Sequence, residues 1–292
     1  MNSQEFGGPW STIKVELLRK YLHFYTQALK NKPFKLIYID AFAGTGYFQT
    51  KKKNCQKQGF FSAPQKETGQ QLLDGSAKIA LSLERPFDFY IFIEKDEKKF
   101  SELQKLKKEF PSLETRMHFK NTDANEYLKS LCNKVKWSNH RSVLFLDPFG
   151  LQVDWTTIEA IANTRSIDTW FLFPISAINR MLKRDGNISE SWKRRINSVF
   201  GTDNWYNKFF KKSRQMSLFG TTETLRKEAD FQIIGEYILE RLQTVFAGVA
   251  KNPRLLRTER NVPLFLLCFA VGNPNAKAKK LALNAAQNIL SK

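Results

Sequence analysis

The sequence predicts an α/β protein whose core is a doubly wound, mainly parallel sheet, and three observations carry that prediction. Five segments in succession read as a strand followed by a helix, the alternation that builds a parallel sheet with helices on both faces. Four of those strands end in an acid or an Asn/Asp turn, on the side where open sheets of this kind bind ligands. Two late strands are joined directly by a loop, which makes them an antiparallel pair at the sheet edge.

In chain order, residues 1–9 are polar, with paired glycines and a proline, and the end is expected to be loose to residue 10. From Ser11, a possible N-cap, Ile13, Leu17, Leu18, Tyr21, Tyr25 and Leu29 recur at helical spacing, giving an amphipathic helix to about Lys30. The first strand, Leu36 to Ile39, is apolar throughout, as suits burial on both faces. It ends at Asp40 and continues as Ala41-Phe42-Ala43-Gly44-Thr45-Gly46, where two glycines allow a tight turn and a close approach to the backbone. Residues 49–74 show no periodicity and contain Lys51, Lys52, Lys53, Lys57 and Lys66, an inserted basic loop or flap. A helix follows from Ser76 to Leu83, then a second strand from Phe87 to Glu94 and a charged helix from Lys95 to Phe110. Thr115 to Lys120 is a short third strand that runs into Asn121-Thr122-Asp123-Ala124-Asn125, with a helix over Glu126 to Cys132. The fourth strand, Ser142 to Leu146, ends in Asp147-Pro148-Phe149-Gly150; a helix over Thr156 to Asn163 leads to the fifth, Thr169 to Phe173. Beyond Arg184 the rhythm breaks, and residues 185–225 mix Trp192, Trp205, Phe209 and Phe210 with many Lys and Arg, which reads as a basic, aromatic, helical insertion between the core at 11–184 and its completion at 226–292. That completion comprises a helix from Arg226 to Gln243, strands Val245 to Ala250 and Pro263 to Val271 around Arg254, Arg257 and Arg260, and a closing helix from Asn275 to Leu290.

Composition narrows the partners. In 292 residues, Lys plus Arg number 47 against 28 acids, a formal charge of +19 that favours a polyanion, nucleic acid first among them. A generic basic surface accounts for the same excess. Cys55, Cys132 and Cys268 lie far apart with no CxxC, and three His are scattered, which argues against a disulfide framework and a zinc site. The longest apolar run, Pro263 to Val271, is of strand length, so the expectation is a cytoplasmic chain without a membrane span or leader.

Taken together, the strand ends describe a nucleoside site. An acid after the second strand, Glu94, suits both ribose hydroxyls, and the Asp123-Ala124 pair suits an adenine amine and ring nitrogen. A nicotinamide dinucleotide would need a third glycine and an immediate helix to meet its pyrophosphate; here the turn runs on into Tyr47-Phe48-Gln49. That favours a ligand without phosphate, such as S-adenosylmethionine.

With these motifs the chain resembles class I S-adenosylmethionine-dependent methyltransferases: DAFAGTG (40–46), FIEKD (92–96), NTDANEYL (121–128) and LDPFG (146–150) stand where that fold carries its cofactor and acceptor motifs. More closely, it resembles the three-Cys-motif partner (TcmP) family, through YIDAFAGTG, FLDPFGLQVDW (145–155), FPISAINRML (173–182) and GTDNW (201–205). The resemblance implies a seven-stranded Rossmann-like methyltransferase sheet with an antiparallel last strand, S-adenosylmethionine bound by Asp40, Phe42, Gly44, Gly46, Glu94, Asp123 and Ala124, and a possible three-Cys-motif partner protein. Amino-methyltransferases of nucleobases carry Asp/Asn-Pro-Pro-aromatic after the fourth strand, and some tRNA guanine methyltransferases carry Asp-Pro-Phe-Gly. The residue types fit: Asp147 and the carbonyl of Pro148 can accept the two hydrogens of an exocyclic amine, and Phe149 can stack on its base. Gly150 stands where the commoner motif has its aromatic ring. The plain alternative is a strand that ends in an Asp-Pro turn without chemistry. Asn179 and Arg180 either touch substrate or form a polar pair on a helix. Trp10 and Lys14 either close over the cofactor or are core packing and a solvated lysine. Residues 192–214 are either a nucleic-acid clamp or an insertion burying its tryptophans. Two further functions stay open: a non-catalytic cofactor-binding subunit of another enzyme, and a protein or small-molecule methyltransferase.

Overall fold

The computed structural model describes residues 9–50, 71–217 and 220–292. The predicted cluster Lys51 to Lys57, Lys66 and Cys55 lies outside these residues. In chain order the elements are α1 (Pro9–Ala28), β1 (Lys35–Asp40), β2 (Tyr47–Thr50), β3 (Gln71–Asp74), α2 (Ser76–Leu81), β4 (Phe89–Ile93), α3 (Glu97–Leu103), α4 (Leu106–Glu109), β5 (Met117–Lys120) and α5 (Ala124–Lys134). They continue as β6 (His140–Leu146), α6 (Trp155–Asn163), β7 (Ile167–Phe173), α7 (Ile175–Met181), α8 (Glu190–Phe200), α9 (Trp205–Phe209), β8 (Phe210–Ser217) and β9 (Gly220–Lys227). The chain closes with α10 (Phe231–Gln243), β10 (Gly248–Val249), β11 (Arg254–Arg257), β12 (Pro263–Val271) and α11 (Ala276–Leu290).

The central sheet has the order β5-β4-β1-β6-β7-β12-β10, with β11 paired to β12. Strands β5 through β7 are mutually parallel, and β12 runs antiparallel to β7 and to β10. Counting β10 and β11 as one edge strand, both antiparallel to β12, this is the seven-stranded Rossmann-like methyltransferase sheet with its antiparallel seventh strand. The eighth segment arises because that edge strand breaks between Val249 and Arg254.

Alternation along the strands divides the core into two layers. Ile37, Ile39, Ile91, Ile93, Leu144, Leu146, Phe171 and Phe173 face one side, with Leu128, Ile158, Ile196, Ile234 and Ile238 of the helices over them. Leu36, Tyr38, Tyr90, Phe92, Val143, Phe145, Trp170 and Leu172 face the other, beneath Leu18, Tyr21, Leu22, Leu103 and Leu290. Every residue of β7 is buried, as a continuous apolar run demands in a strand covered on both faces. Burial of this kind, at roughly 25 cal/mol per Å² of apolar surface, supplies the drive for folding.

Several elements differ from the sequence reading. The helix expected over Lys95 to Phe110 is two short helices, α3 and α4, because Gln104 and Lys105 interrupt it. Beyond Phe209 the insertion is a β-hairpin, not helix: β8 pairs with β9 from Phe210↔Lys227 to Ser217↔Gly220. Arg226 therefore belongs to a strand, and α10 starts only after Asp230, whose carboxylate accepts from the Ile233 amide at 2.9 Å. The strand expected over Val245 to Ala250 shrinks to Gly248–Val249. The flanks of the inserted loop, 47–50 and 71–74, pair as antiparallel strands. Among the described residues, no helix is long and apolar enough to cross a membrane.

Candidate active site

The parallel strands bring four predicted acids to one edge. Asp40 ends β1, Glu94 follows β4, Asp123 follows β5 and Asp147 follows β6. The sheet order switches direction at β1, with β4 and β5 on one side and β6 and β7 on the other, so the crevice of an open α/β sheet falls between Asp40 and Asp147. Backbone bonds stitch the tips: Ala41 N donates to Phe145 O at 3.1 Å, Ala43 N to Ile93 O at 3.0 Å and Glu94 N to Lys120 O at 3.0 Å.

The glycine turn folds over the tip of β1. Gly44 (φ +60°) and Gly46 (φ +80°) both occupy the left-handed region, which costs a side chain roughly 1–2 kcal/mol. A Cβ on Gly44 would meet nothing within 4 Å, whereas one on Gly46 would press on Leu106 at 3.0 Å. Gly44 thus borders open space, and Gly46 is held close by the core. The Gly44 amide donates to Glu94 Oε2 at 2.9 Å, and Glu94 Oε1 accepts from the Asp96 amide at 2.8 Å. A carboxylate has about four acceptor positions, so two remain on Glu94. Asp123 caps α5 by accepting from the Asn125 amide at 2.9 Å and pairs with Lys95 at 3.2 Å; those hydrogen bonds hold its carboxyl below the usual range against the opposing effect of burial. Ala124 beside it is buried, and Phe42 packs half-buried against the core.

Asp40 is fully buried. Its Oδ2 accepts from Ser76 Oγ at 2.5 Å and Tyr38 Oη at 3.3 Å, while Oδ1 has no hydrogen-bond partner among the described residues. Burial pushes its pKa up to about 7, opposed by the Ser76 hydroxyl and assisted by the charge of Asp147.

Across the switch point, Asp147 Oδ2 receives the ammonium of Lys14 in an ion pair whose side chains are 22% and 11% exposed. Lys14 also lies over the Trp10 ring, 5.0 Å from its centroid, and Trp10 packs on Phe265 at 5.0 Å. The first helix is thereby tied to the acceptor side of the site, and Lys14 is neither solvated nor core packing. Pro148 is buried, Phe149 is 63% exposed, and the Phe149 amide donates to Gln152 Oε1 at 2.9 Å. Asn179, in α7, accepts from Lys227 Nζ at 2.7 Å, while Arg180 is exposed on the same helix. Asn179 thus ties α7 to the end of β9.

The insertion divides likewise. Trp205 is buried, whereas Trp192 stays 39% exposed. Lys193 pairs with Glu190, Arg195 with Asp154 and Lys208 with Glu240, so three of the insertion's cations have carboxylate partners within the chain. An open groove of about 510 Å³ lies between α6 and α8, lined by Asp154, Trp155, Arg194 and Asn197 among others; it flanks the strand-tip crevice instead of coinciding with it.

Three residues of the site escaped the sequence reading. Tyr38 and Ser76 are the partners of Asp40; Tyr38 lies two residues before it on the same face of β1, a detectable signal, but Ser76 arrives from a separate helix. Asn125 joins Asp123 to the loop after β6, through contacts described below.

No protein family matches the chain in a family scan, and no curated protein matches it. Among solved structures, a protein of Legionella pneumophila superposes with a TM-score of 0.47 at 14% identity, over 97% of this chain and 93% of that one. Spermidine synthase from Thermotoga maritima gives 0.40 at 12% identity over 92% and 62%. An Escherichia coli protein described as a methyltransferase gives 0.32 at 13% identity over 72% and 87%. These scores lie below 0.5, and the fold is read from the strand order itself. The resemblance to the three-Cys-motif partner family rests on the sequence motifs.

Proposed function

We propose that this protein is an S-adenosylmethionine-dependent methyltransferase whose acceptor is an exocyclic amino group of a nucleic-acid base. The observation that carries the reading is the gathering of Asp40, Glu94, Asp123 and Asp147 along one sheet edge, around a glycine turn at the switch point. The residues fit the cofactor. Glu94 keeps two acceptor positions for ribose hydroxyls after serving Gly44 and Asp96. Asp123 and the Ala124 amide suit an adenine edge. Gly44 leaves open space beside the backbone, and Asp40 presents a buried oxygen with no partner among the described residues.

S-adenosylmethionine supplies, when bound, a methyl group on a positively charged sulfur. The chain's own part is to position and polarise the acceptor. An exocyclic amine is a weak nucleophile because its lone pair is delocalised into the ring; accepting its two hydrogens at Asp147 and the Pro148 carbonyl draws that pair back onto nitrogen. Lys14 covers one oxygen of Asp147 and leaves the other for the amine. A paired base would flip out to reach this site.

Two observations support a nucleic-acid partner. The formal charge is +19, and the turn between β11 and β12, carrying Arg257 and Arg260, projects from the same sheet edge, since Leu266 opposes both Phe173 at the end of β7 and Leu255 of β11. The Lys14–Asp147 pair also favours a second reading, a cofactor-binding subunit without transfer, in which Asp147 merely anchors α1. Isothermal titration with S-adenosylmethionine, followed by labelled-methyl transfer to total RNA, DNA and protein, tests both. Absence of cofactor binding removes the proposal; binding without transfer selects the second reading.

A further inference from the structure

The loop that carries the acceptor motif is bolted to the adenine side of the site by one side chain. Asn125, in the first turn of α5, accepts from the Asp154 amide at 3.0 Å and from Thr157 Oγ1 at 2.8 Å, and its Nδ2 donates to Gln152 O at 2.8 Å. Its own amide donates to Asp123 Oδ1 at 2.9 Å. Gln152 in turn uses Oε1 to accept from the Phe149 amide at 2.9 Å. A continuous path of hydrogen bonds thus runs from Asp123 through Asn125 and Gln152 to Phe149, between two strand tips separated in the sheet by β4 and β1.

We infer that Asn125 is a positioning residue that couples occupation of the nucleoside subsite to the placement of the Asp147-Pro148-Phe149 loop; the inference rests on the function proposed above. Three features make the coupling physical. The amide uses both ends of its side chain, so Asn125 cannot shift without breaking bonds to the loop, to α6, or to both. Its backbone amide is held by the carboxylate that would receive the adenine, so a ligand on Asp123 bears directly on it. The receiving loop is anchored at its ends by buried Pro148 and Val153 and exposed between them at Phe149 and Gln152, with Gly150 at φ +71°, the kind of segment whose local opening a few hydrogen bonds decide. Transfer demands both partners in register, and this link lets one report on the other.

The reporter is the exchange rate of the Phe149 amide proton, followed by NMR, in free protein and in protein saturated with S-adenosylhomocysteine. It lies two links from Asn125 and touches no atom of it. In the free protein, Asn125→Ala should accelerate this exchange at least fivefold. In the wild type, S-adenosylhomocysteine should slow it; in Asn125→Ala that slowing should vanish while the affinity measured by titration changes less than about threefold. Asn125→Asp, which keeps the acceptor for Asp154 and Thr157 but cannot donate to Gln152, should reproduce the acceleration without loosening α6. Should Asn125→Ala fail to fold, Gln152→Ala at an exposed site decides: it must accelerate the Phe149 amide and leave cofactor affinity intact. Unchanged exchange at Phe149 in these variants overturns the coupling, even where the wild type binds S-adenosylhomocysteine. Failure of the wild type to bind it overturns the proposed function instead, and the free-protein comparison still decides whether the path holds the loop.

Discussion

At Asp147 two demands meet on one carboxylate: it neutralises Lys14 and, on the proposed function, receives a hydrogen of the acceptor amine. Asp147→Ala should lower methyl transfer by on the order of 10²–10³-fold, the usual effect of losing one electrostatic contact to the reacting group, while affinity for S-adenosylhomocysteine stays within about threefold. Parallel loss of affinity would show that the acid holds cofactor rather than acceptor. Asp40 makes a separate prediction. Its pKa is raised to about 7 when folded, chiefly by burial, against 3.8 ordinarily. The folded state therefore holds this proton more tightly than the unfolded one, and the stabilisation is complete below about pH 4 and lost as pH rises to about 7. Asn mimics the protonated acid, so the melting temperature of Asp40→Asn minus that of the wild type should climb between those pH values and level off above them. Asp168, likewise raised to about 7 by burial, is common to both proteins and cancels. A difference independent of pH would mean that Asp40 is ionised throughout. Asp40, Glu94 and Asp147 were legible in the sequence because each follows an apolar strand, and Asp123 because it stands in an Asn/Asp turn after β5; Lys14 was legible only as one of two alternatives and Ser76 not at all, because nothing in a linear chain signals which helix residue crosses to a strand tip.

The elements that went unrecognised share a physical cause. The strands β8 and β9 are rich in Lys, Arg, Ser, Gln and Thr, so the hairpin carries neither an apolar run nor the period-two alternation that betrays a half-buried strand. Four of the parallel strands, β1, β4, β6 and β7, announced themselves by continuous hydrophobicity, whereas the edge strand β5, Met-His-Phe-Lys with one buried residue, did so only by its short β-prone run. Helix starts follow their caps: Asp96, Asp123 and Asp230 each accept from an amide of the first turn, and the Asp230 cap, four residues beyond Arg226, fixes the start of α10. Gly201 shows how an element is fixed by a residue that sequence reading treats as mere punctuation. It ends α8 in the left-handed conformation, φ +68°, and a Cβ there would lie 2.0 Å from Trp155 Cδ1. Gly201→Ala therefore combines backbone strain of roughly 1–2 kcal/mol with overpacking of roughly 1–3 kcal/mol. It should destabilise the fold by about 2–5 kcal/mol, read as a lowered midpoint in urea. A loss below about 1 kcal/mol would mean that α8 shifts freely on α6 and that the Asp154–Arg195 pair between them does not hold it.

For the whole molecule, the charge excess was visible in composition, but its distribution was not. Three cations of the insertion, Lys193, Arg195 and Lys208, are paired within the chain, whereas Arg257 ends β11 and Arg260 follows on the turn, at the edge where the acceptor motif lies. This asymmetry predicts where a polyanion docks. Each phosphate contact removes a condensed counterion, so log affinity falls with log salt in proportion to the number of contacts. With a fluorescent single-stranded RNA titrated at several salt concentrations, replacing Arg257 and Arg260 by Ala should reduce the magnitude of that slope by about 1 for each arginine lost. Replacing Lys193 and Lys208 should leave it unchanged, because both already hold carboxylates. The opposite result, a slope lowered by the lysines and not by the arginines, would place the nucleic acid along α8 and α9, away from the strand tips, and would separate binding of the polyanion from the proposed chemistry.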